Sequence, residues 1–301
     1  MPKSISSICG IVTATPSPLA SDGQIDQNAV ASLVRHVITQ GASAIAPNGG
    51  TGEYTALTDR QRSQMVEYSV EAANGDVPVI SGILSPGLND TIAAGRSACA
   101  LGADALMVVT PYYSRPTQAG IVDYYKAVSD AVDAEIMLYE IPYRTGVSLT
   151  PDTVAALAEQ TRVVAMKACN NDLSQQLKVL EAAGNKISIL SGEENVFPVH
   201  VAMGAKGGLL ATSCIFQSVW NRIYEAASQN RLADAMDLHA RLMPVVDALF
   251  SEHNPAPLKA ALSLLGRPYG DVLPPLRPAS AALQQKLQQL IPAFLAAEAG
   301  N

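Results

Sequence analysis

Residues 135–167 read EIMLYEIPYRTGVSLTPDTVAALAEQTRVVAMK. Glu135–Tyr139 is a short apolar run of strand type, and Val163–Lys167 is another. Between them Pro151–Gln160 has helical spacing. Pro151, between Thr150 and Asp152, stands where a first helical turn tolerates proline. A strand, a helix and a second strand in this order imply two parallel strands joined by a crossover.

Outward from this stretch the same unit recurs. Strands are expected at Cys9–Ala14, Ser43–Pro47, Val77–Gly82, Ala105–Thr110, Ile187–Ser191 and Gly208–Thr212. Helices are expected at Gln27–Gln40, Asp59–Ala73, Thr91–Leu101, Gly120–Ala131, Leu173–Ala183 and Phe197–Met203. The strand runs are nearly all apolar, as strands covered on both faces are. Eight units, with no GxGxxG after the first strand, favour an α/β protein of the (β/α)8 TIM-barrel type over an open doubly wound sheet. Beyond the eighth strand lie helix-like stretches at Ser218–Ala227, Arg231–Phe250, Pro257–Leu265 and Ser280–Ala297. The expected division is a catalytic barrel over 1–216 and a C-terminal helical extension over 217–301 packed on it.

The 301 residues are 48% apolar and 16% charged, which is ample for a large core. Lys and Arg number 20 against 27 Asp and Glu, a net charge of −7, which argues against nucleic acid or an anionic membrane as the main partner. Cys9, Cys99, Cys169 and Cys214 are widely spaced and form no CxxC, so neither a disulfide framework nor a zinc site is expected. His36, His200, His239 and His253 form no HxH or HxxxH pair, which argues against a histidine-built metal site. The N-terminus lacks a signal-type apolar segment, and no apolar run is long enough to span a bilayer. The expected location is the cytoplasm.

In such a barrel the chemistry belongs at the C-terminal ends of the strands. Lys167 closes an apolar strand, so burial is expected to lower its pKa and free a neutral amine for Schiff-base formation. The competing reading is a lysine that snorkels to solvent. Lys206 reads as a loop lysine and Lys259 as a helix-surface residue. The turn Gly49-Gly50-Thr51-Gly52-Glu53 offers backbone N–H groups and the Thr51 hydroxyl to a carboxylate, or it is simply a tight turn. Tyr113 and Tyr139 end different strands and serve either proton transfer or packing. Arg144, after Pro142, suits bidentate carboxylate recognition or a surface salt bridge.

Taken together these segments resemble the dihydrodipicolinate synthase / N-acetylneuraminate lyase family of pyruvate-dependent class I aldolases. Gly49–Glu53 is similar to the family's carboxylate-binding turn, and Thr110-Pro111-Tyr112-Tyr113-Ser114-Arg115-Pro116 to its TPYYxRP segment. Leu138-Tyr139-Glu140-Ile141-Pro142-Tyr143-Arg144-Thr145 resembles LYNxPxRT, and Leu190-Ser191-Gly192-Glu193-Glu194 resembles LSGDD. Asn254–Lys259 resembles the NPxPxK helix start, and Lys167 sits where the family's Schiff-base lysine ends strand 6.

The resemblance implies a lyase in which Lys167 forms an imine with pyruvate. Thr51, Gly50 and neighbouring N–H groups would hold the pyruvate carboxylate, and Tyr139 would shuttle protons. Gly192 and the backbone carbonyl of Leu209 would line the substrate. Arg144 matches the arginine that binds the carboxylate of aspartate semialdehyde. Tyr113 matches a tyrosine supplied across a subunit interface, which implies a homodimer or homotetramer. The imine is the electron sink, so neither metal nor organic cofactor is implied.

Three departures stand out. Gly50 replaces a hydroxyl residue of the proton relay, a trait closer to the branch of 2-keto-3-deoxy sugar acid aldolases and dehydratases. Glu140 stands where an asparagine is usual, and Ala168-Cys169 follow the lysine in place of Glu-Ala or Glu-Ser. The sugar-acid branch therefore remains an alternative, as does a barrel that binds a keto acid without catalysis.

The family's allosteric lysine site also aligns poorly, with Tyr54, Asp59, Arg62, Pro86 and Asp90 at its positions. Lysine is accordingly expected not to inhibit. A lysine titration of the condensation activity checks this, and inhibition at micromolar or low-millimolar lysine would contradict it.

Overall fold

In the computed structural model, residues 2–299 are described. The strands are β1 (Gly10–Ala14), β2 (Ala44–Ala46), β3 (Ile80–Ile83), β4 (Ala105–Val109), β5 (Glu135–Glu140), β6 (Val163–Ala168), β7 (Ser188–Ser191) and β8 (Gly207–Leu210). The helices interleaved with them are α1 (Gln27–Thr39), α2 (Asp59–Ala73), α3 (Leu88–Ala100), α4 (Gln118–Ala131), α5 (Pro142–Thr145), α6 (Pro151–Gln160), α7 (Leu173–Ala183) and α8 (Phe197–Ala202). After β8 come α9 (Ser213–Ser228), α10 (Leu232–Phe250), α11 (Ala256–Leu264) and α12 (Ala281–Ala299).

All strand pairs are parallel, in the order β2-β1-β8-β7-β6-β5-β4-β3. A parallel bridge between Ile45 and Val79 returns β2 to β3. The Ile45 N–H donates to the Pro78 carbonyl at 2.9 Å, and the Gly82 N–H to the Pro47 carbonyl at 2.9 Å. The sheet thus comes round on itself as the expected eight-stranded barrel.

Strand alternation sorts the apolar residues into layers. Ala105, Met107, Val109, Met137, Tyr139 and Ala165 belong to the cluster inside the barrel, joined by Leu190 and Leu209. Leu106, Val108, Ile136, Leu138 and Met166 face the other way and pack under the helices. Around β1 and β8 a third cluster joins the barrel to α9–α12 through Trp220, Leu242, Leu258 and Leu287. Helix α6 starts at Pro151 as expected, with Thr150 accepting from the Thr153 N–H, and Thr58 and Gln61 form a capping box on α2.

Element ends differ from expectation where side chains intervene. β3 starts at Ile80, not at Val77, because Pro78 has no N–H and the Val79 N–H goes to Asp104. β8 stops at Leu210 because the N–H groups of Ala211 and Thr212 both donate to Glu194. The same carboxylate lies at the start of α9, which begins at Ser213, ahead of the expected Ser218.

Lys259 is not a helix-surface residue. It is 3% exposed, and its ammonium lies 2.7 Å from the Glu53 carboxylate. It also donates to the Asp271 carbonyl at 2.8 Å, while Glu53 accepts the Leu273 N–H at 2.6 Å. The pair ties the turn after β2 to the C-terminal extension. Replacing Lys259 by Met strands a buried carboxylate and is expected to cost about 3–5 kcal/mol of stability, measured by denaturant unfolding. The double variant Glu53→Gln/Lys259→Met is expected to recover most of that loss.

Candidate active site

A cavity of about 270 Å³ opens at the C-terminal ends of the strands. It brings together Thr51, Gly50, Tyr139, Arg144, Lys167, Gly192 and Leu209 from five different strand ends. The β5–β6 register pairs Tyr139 with Lys167, so both side chains enter the lumen at one level. The Lys167 ammonium lies 4.5 Å from the centre of the Tyr139 ring. Lys167 is only 8% exposed, so it does not snorkel to solvent.

Electrostatics correct one expectation. Burial disfavours the Lys167 ammonium, but the acidic groups around it, Tyr139, Cys169, Glu194 and Glu193, outweigh that and hold its pKa above the ordinary lysine value. Resting Lys167 is therefore charged and must lose a proton before it attacks a carbonyl. Burial pushes Tyr139 up to about 12, although Lys167 pulls the other way. The phenol stays protonated at neutral pH. Burial likewise raises Cys169, and Glu194 is raised to about 7.

Facing the lysine is the Gly49–Glu53 turn. The N–H groups of Gly50 and Thr51 donate to nothing among the described residues, which leaves them free for a ligand. Glu53 holds the left-handed conformation, φ 58°, that turns its carboxylate back toward Lys259. Asn254 donates its side-chain N–H to the Thr51 hydroxyl oxygen at 2.9 Å. That oxygen is thus an acceptor already, and its own proton is directed elsewhere. Gly192 has no room for a side chain: a Cβ there would lie 2.1 Å from the Cys169 sulfur and 3.0 Å from Lys167 Cε. Gly50 differs, since a Cβ there would meet only Arg144 Nη1 at 3.9 Å.

Arg144 is exposed at the rim and makes no ion pair among the described residues, which disfavours the surface salt bridge. Tyr113 is not brought to the cavity of its own chain. It is 94% exposed and sits at φ 70° on the loop after β4, next to Arg115 at φ 48°. Sequence reasoning missed much of the mouth. Tyr143 donates to the Glu193 carboxylate at 3.0 Å, and Met243, Val246, Asp247 and Phe250 arrive from α10. The Asn254–Pro255 segment was the one usable signal for this side.

A larger cleft of about 470 Å³ opens between α2 and α3 on the outside of β3, and no lysine, cysteine or histidine lines it. Arg62 reaches into it, 4.5 Å over the Tyr54 ring, donating to the carbonyls of Tyr54 and Leu57 and pairing with Asp59. Among the described residues no three or more His, Cys, Asp or Glu are grouped to hold a metal, and no helix is long and apolar enough to cross a membrane.

A family model described as the dihydrodipicolinate synthetase family matches residues 7–294. A 4-hydroxy-tetrahydrodipicolinate synthase of Geobacter sp. strain M21 is 37% identical over 282 residues, covering 94% of this chain and 97% of that protein. The dihydrodipicolinate synthase of Aquifex aeolicus superimposes with a TM-score of 0.92 at 29% identity, covering 96% of this chain and 98% of the other. A structure described as the first monomeric dihydrodipicolinate synthase variant gives 0.92 at 30% identity, covering 95% and 97%.

The raised pKa of Lys167 sets a pH dependence. Only the free amine attacks, and its fraction grows about tenfold per pH unit below the lysine pKa. Imine formation with a keto acid is expected to climb from pH 6.5 to 8.5 without a plateau, as followed by borohydride quenching and mass spectrometry.

Proposed function

Since the chain belongs to the dihydrodipicolinate synthetase family, we propose that it is a lyase that condenses pyruvate with aspartate semialdehyde through a Schiff base on Lys167. One observation carries the reading: a buried lysine ends β6 beside the Tyr139 phenol and opposite a turn with free N–H donors.

In this reading the pyruvate carboxylate lies on the N–H groups of Gly50 and Thr51 and on the Thr51 hydroxyl. Lys167, once deprotonated, attacks the keto carbon, and water leaves as the imine forms. Loss of a methyl proton gives the enamine, whose terminal carbon adds to the aldehyde carbon. Tyr139, still protonated at neutral pH, supplies the proton to the departing hydroxyl, takes up the methyl proton as a phenolate, and returns it to the new alkoxide. The amino group of the second substrate then displaces Lys167 and closes the ring. No metal or organic cofactor takes part, since the imine itself accepts the electron pair.

Arg144 at the rim receives the carboxylate of the aldehyde. Tyr113, exposed on a left-handed loop, is suited to enter a neighbour's cavity, so a homodimer or a pair of dimers is the proposed assembly. With Gly50 in place of a hydroxyl, a water molecule bridges the relay between the two tyrosines. The relatives are named as synthases, so the sugar-acid dehydratase branch that Gly50 suggested is not favoured.

Borohydride trapping with pyruvate, followed by peptide mass mapping, tests the proposal. A reduced pyruvyl adduct is expected on the peptide that contains Lys167. Lys167→Ala is expected to form no adduct and to lose on the order of 10³-fold or more in kcat. An adduct with a 2-keto-3-deoxy sugar acid but not with pyruvate would overturn the substrate assignment.

A further inference from the structure

Glu140 is the last residue of β5, and its side chain leaves on the face opposite Tyr139. It is 1% exposed. Its Oε1 accepts the Leu149 N–H at 2.9 Å and the Ser148 hydroxyl at 3.2 Å. Its Oε2 is buried without a partner, and no cation pairs with the carboxylate among the described residues. A carboxylate held this way is costly to bury, so what it binds matters.

What it binds is the return of its own chain. After Glu140 the backbone forms α5, turns through Gly146 at φ 71°, and comes back to the same carboxylate at Ser148 and Leu149. The result is a closed arm with Arg144 on its outer part. The base of the arm is tied down further: Gln118 donates to the Ser148 carbonyl at 3.0 Å, and Asn170 donates to the Ser148 hydroxyl at 3.2 Å. At its tip Tyr143 is 62% exposed and donates to the Glu193 carboxylate at 3.0 Å, while Arg144 makes no ion pair among the described residues. The Arg144 side chain has no tether of its own among the described residues, so its direction follows from the base, with Tyr143 as the second point that holds the arm.

We infer that Glu140 is a positioning residue for the second substrate: by clasping Leu149 to the end of β5 it holds Arg144 over the cavity beside Gly50. This rests on the proposed function. The length of the side chain fits the role. One oxygen reaches two donors across the base of the arm, and the asparagine usual at this position is a methylene shorter. Gly50 leaves open the space into which Arg144 points, since a Cβ there would still be 3.9 Å from Nη1.

Steady-state kinetics of Glu140→Ala and Glu140→Gln, with pyruvate imine trapping and hydrogen exchange, test this. Glu140→Ala is expected to raise KM for the aldehyde about tenfold while leaving KM for pyruvate and the rate of imine formation within about twofold. Faster exchange should be confined to residues 141–150. Glu140→Gln keeps an oxygen acceptor and is expected to restore the aldehyde KM to within about threefold. If Glu140→Ala does not fold, Glu140→Asp, which keeps the charge on a shorter side chain, carries the test, with the same split between the two KM values expected. Equal loss toward both substrates, or an unchanged aldehyde KM, overturns the inference while a wild-type imine leaves the functional reading standing. No wild-type imine overturns that reading, and the role of Glu140 with it.

Discussion

The pairing of β5 with β6 is the constraint on which the site depends. With Tyr139 opposite Lys167, the two-residue alternation of a strand turns both into the lumen and turns Glu140 and Ala168 out. A slip of one residue would bury the phenol under the helices and put Glu140 beside the ammonium. The apolar residues enforce the register: Met137 and Ala165 inside, and Leu138 and Met166 outside, leave no equivalent alternative. Catalytic geometry and core packing are in this sense one arrangement, since the residues that fill the barrel also aim the lysine and tyrosine.

Much of the barrel was legible in the sequence because its strands are short apolar runs between helices with their own capping signals. Strand ends were less so. They are decided by distant side chains, as when Asp104 takes the Val79 N–H or Glu194 takes two N–H groups past β8. The same is true of Lys259, which sequence reasoning placed on the surface. Its helix shows an ordinary amphipathic pattern, and the partner that makes its burial tolerable lies about two hundred positions earlier at Glu53.

For the candidate site, the sequence supplied the groups, and the structure supplied their surroundings. Lys167, Tyr139, Thr51, Gly50, Gly192, Arg144 and Leu209 line one cavity because each stands at the end of a strand or in the turn after it. The charge state of Lys167 was misjudged. Burial was visible in the apolar run, but the groups that oppose it, Tyr139, Cys169, Glu194 and Glu193, come from three strands and could not be read from one. The contributions of α10, and the bond from Asn254 to Thr51, were hidden for the same reason.

The ion pair between Glu53 and Lys259 has a consequence for how the protein is made. Glu53 leaves the ribosome about two hundred residues ahead of its partner cation. The first strand likewise waits for the eighth, since Gly10 to Thr13 pair with Gly207 to Leu210. Until those residues are synthesised, the turn after β2 carries a carboxylate that has no low-energy interior to enter. A nascent chain stopped before position 259 therefore keeps that turn open to solvent, and with it the free N–H groups beside it. Closure of the turn is thus tied to synthesis of the segment that carries Lys259, and a product that stops before it keeps the Glu53 carboxylate unpaired.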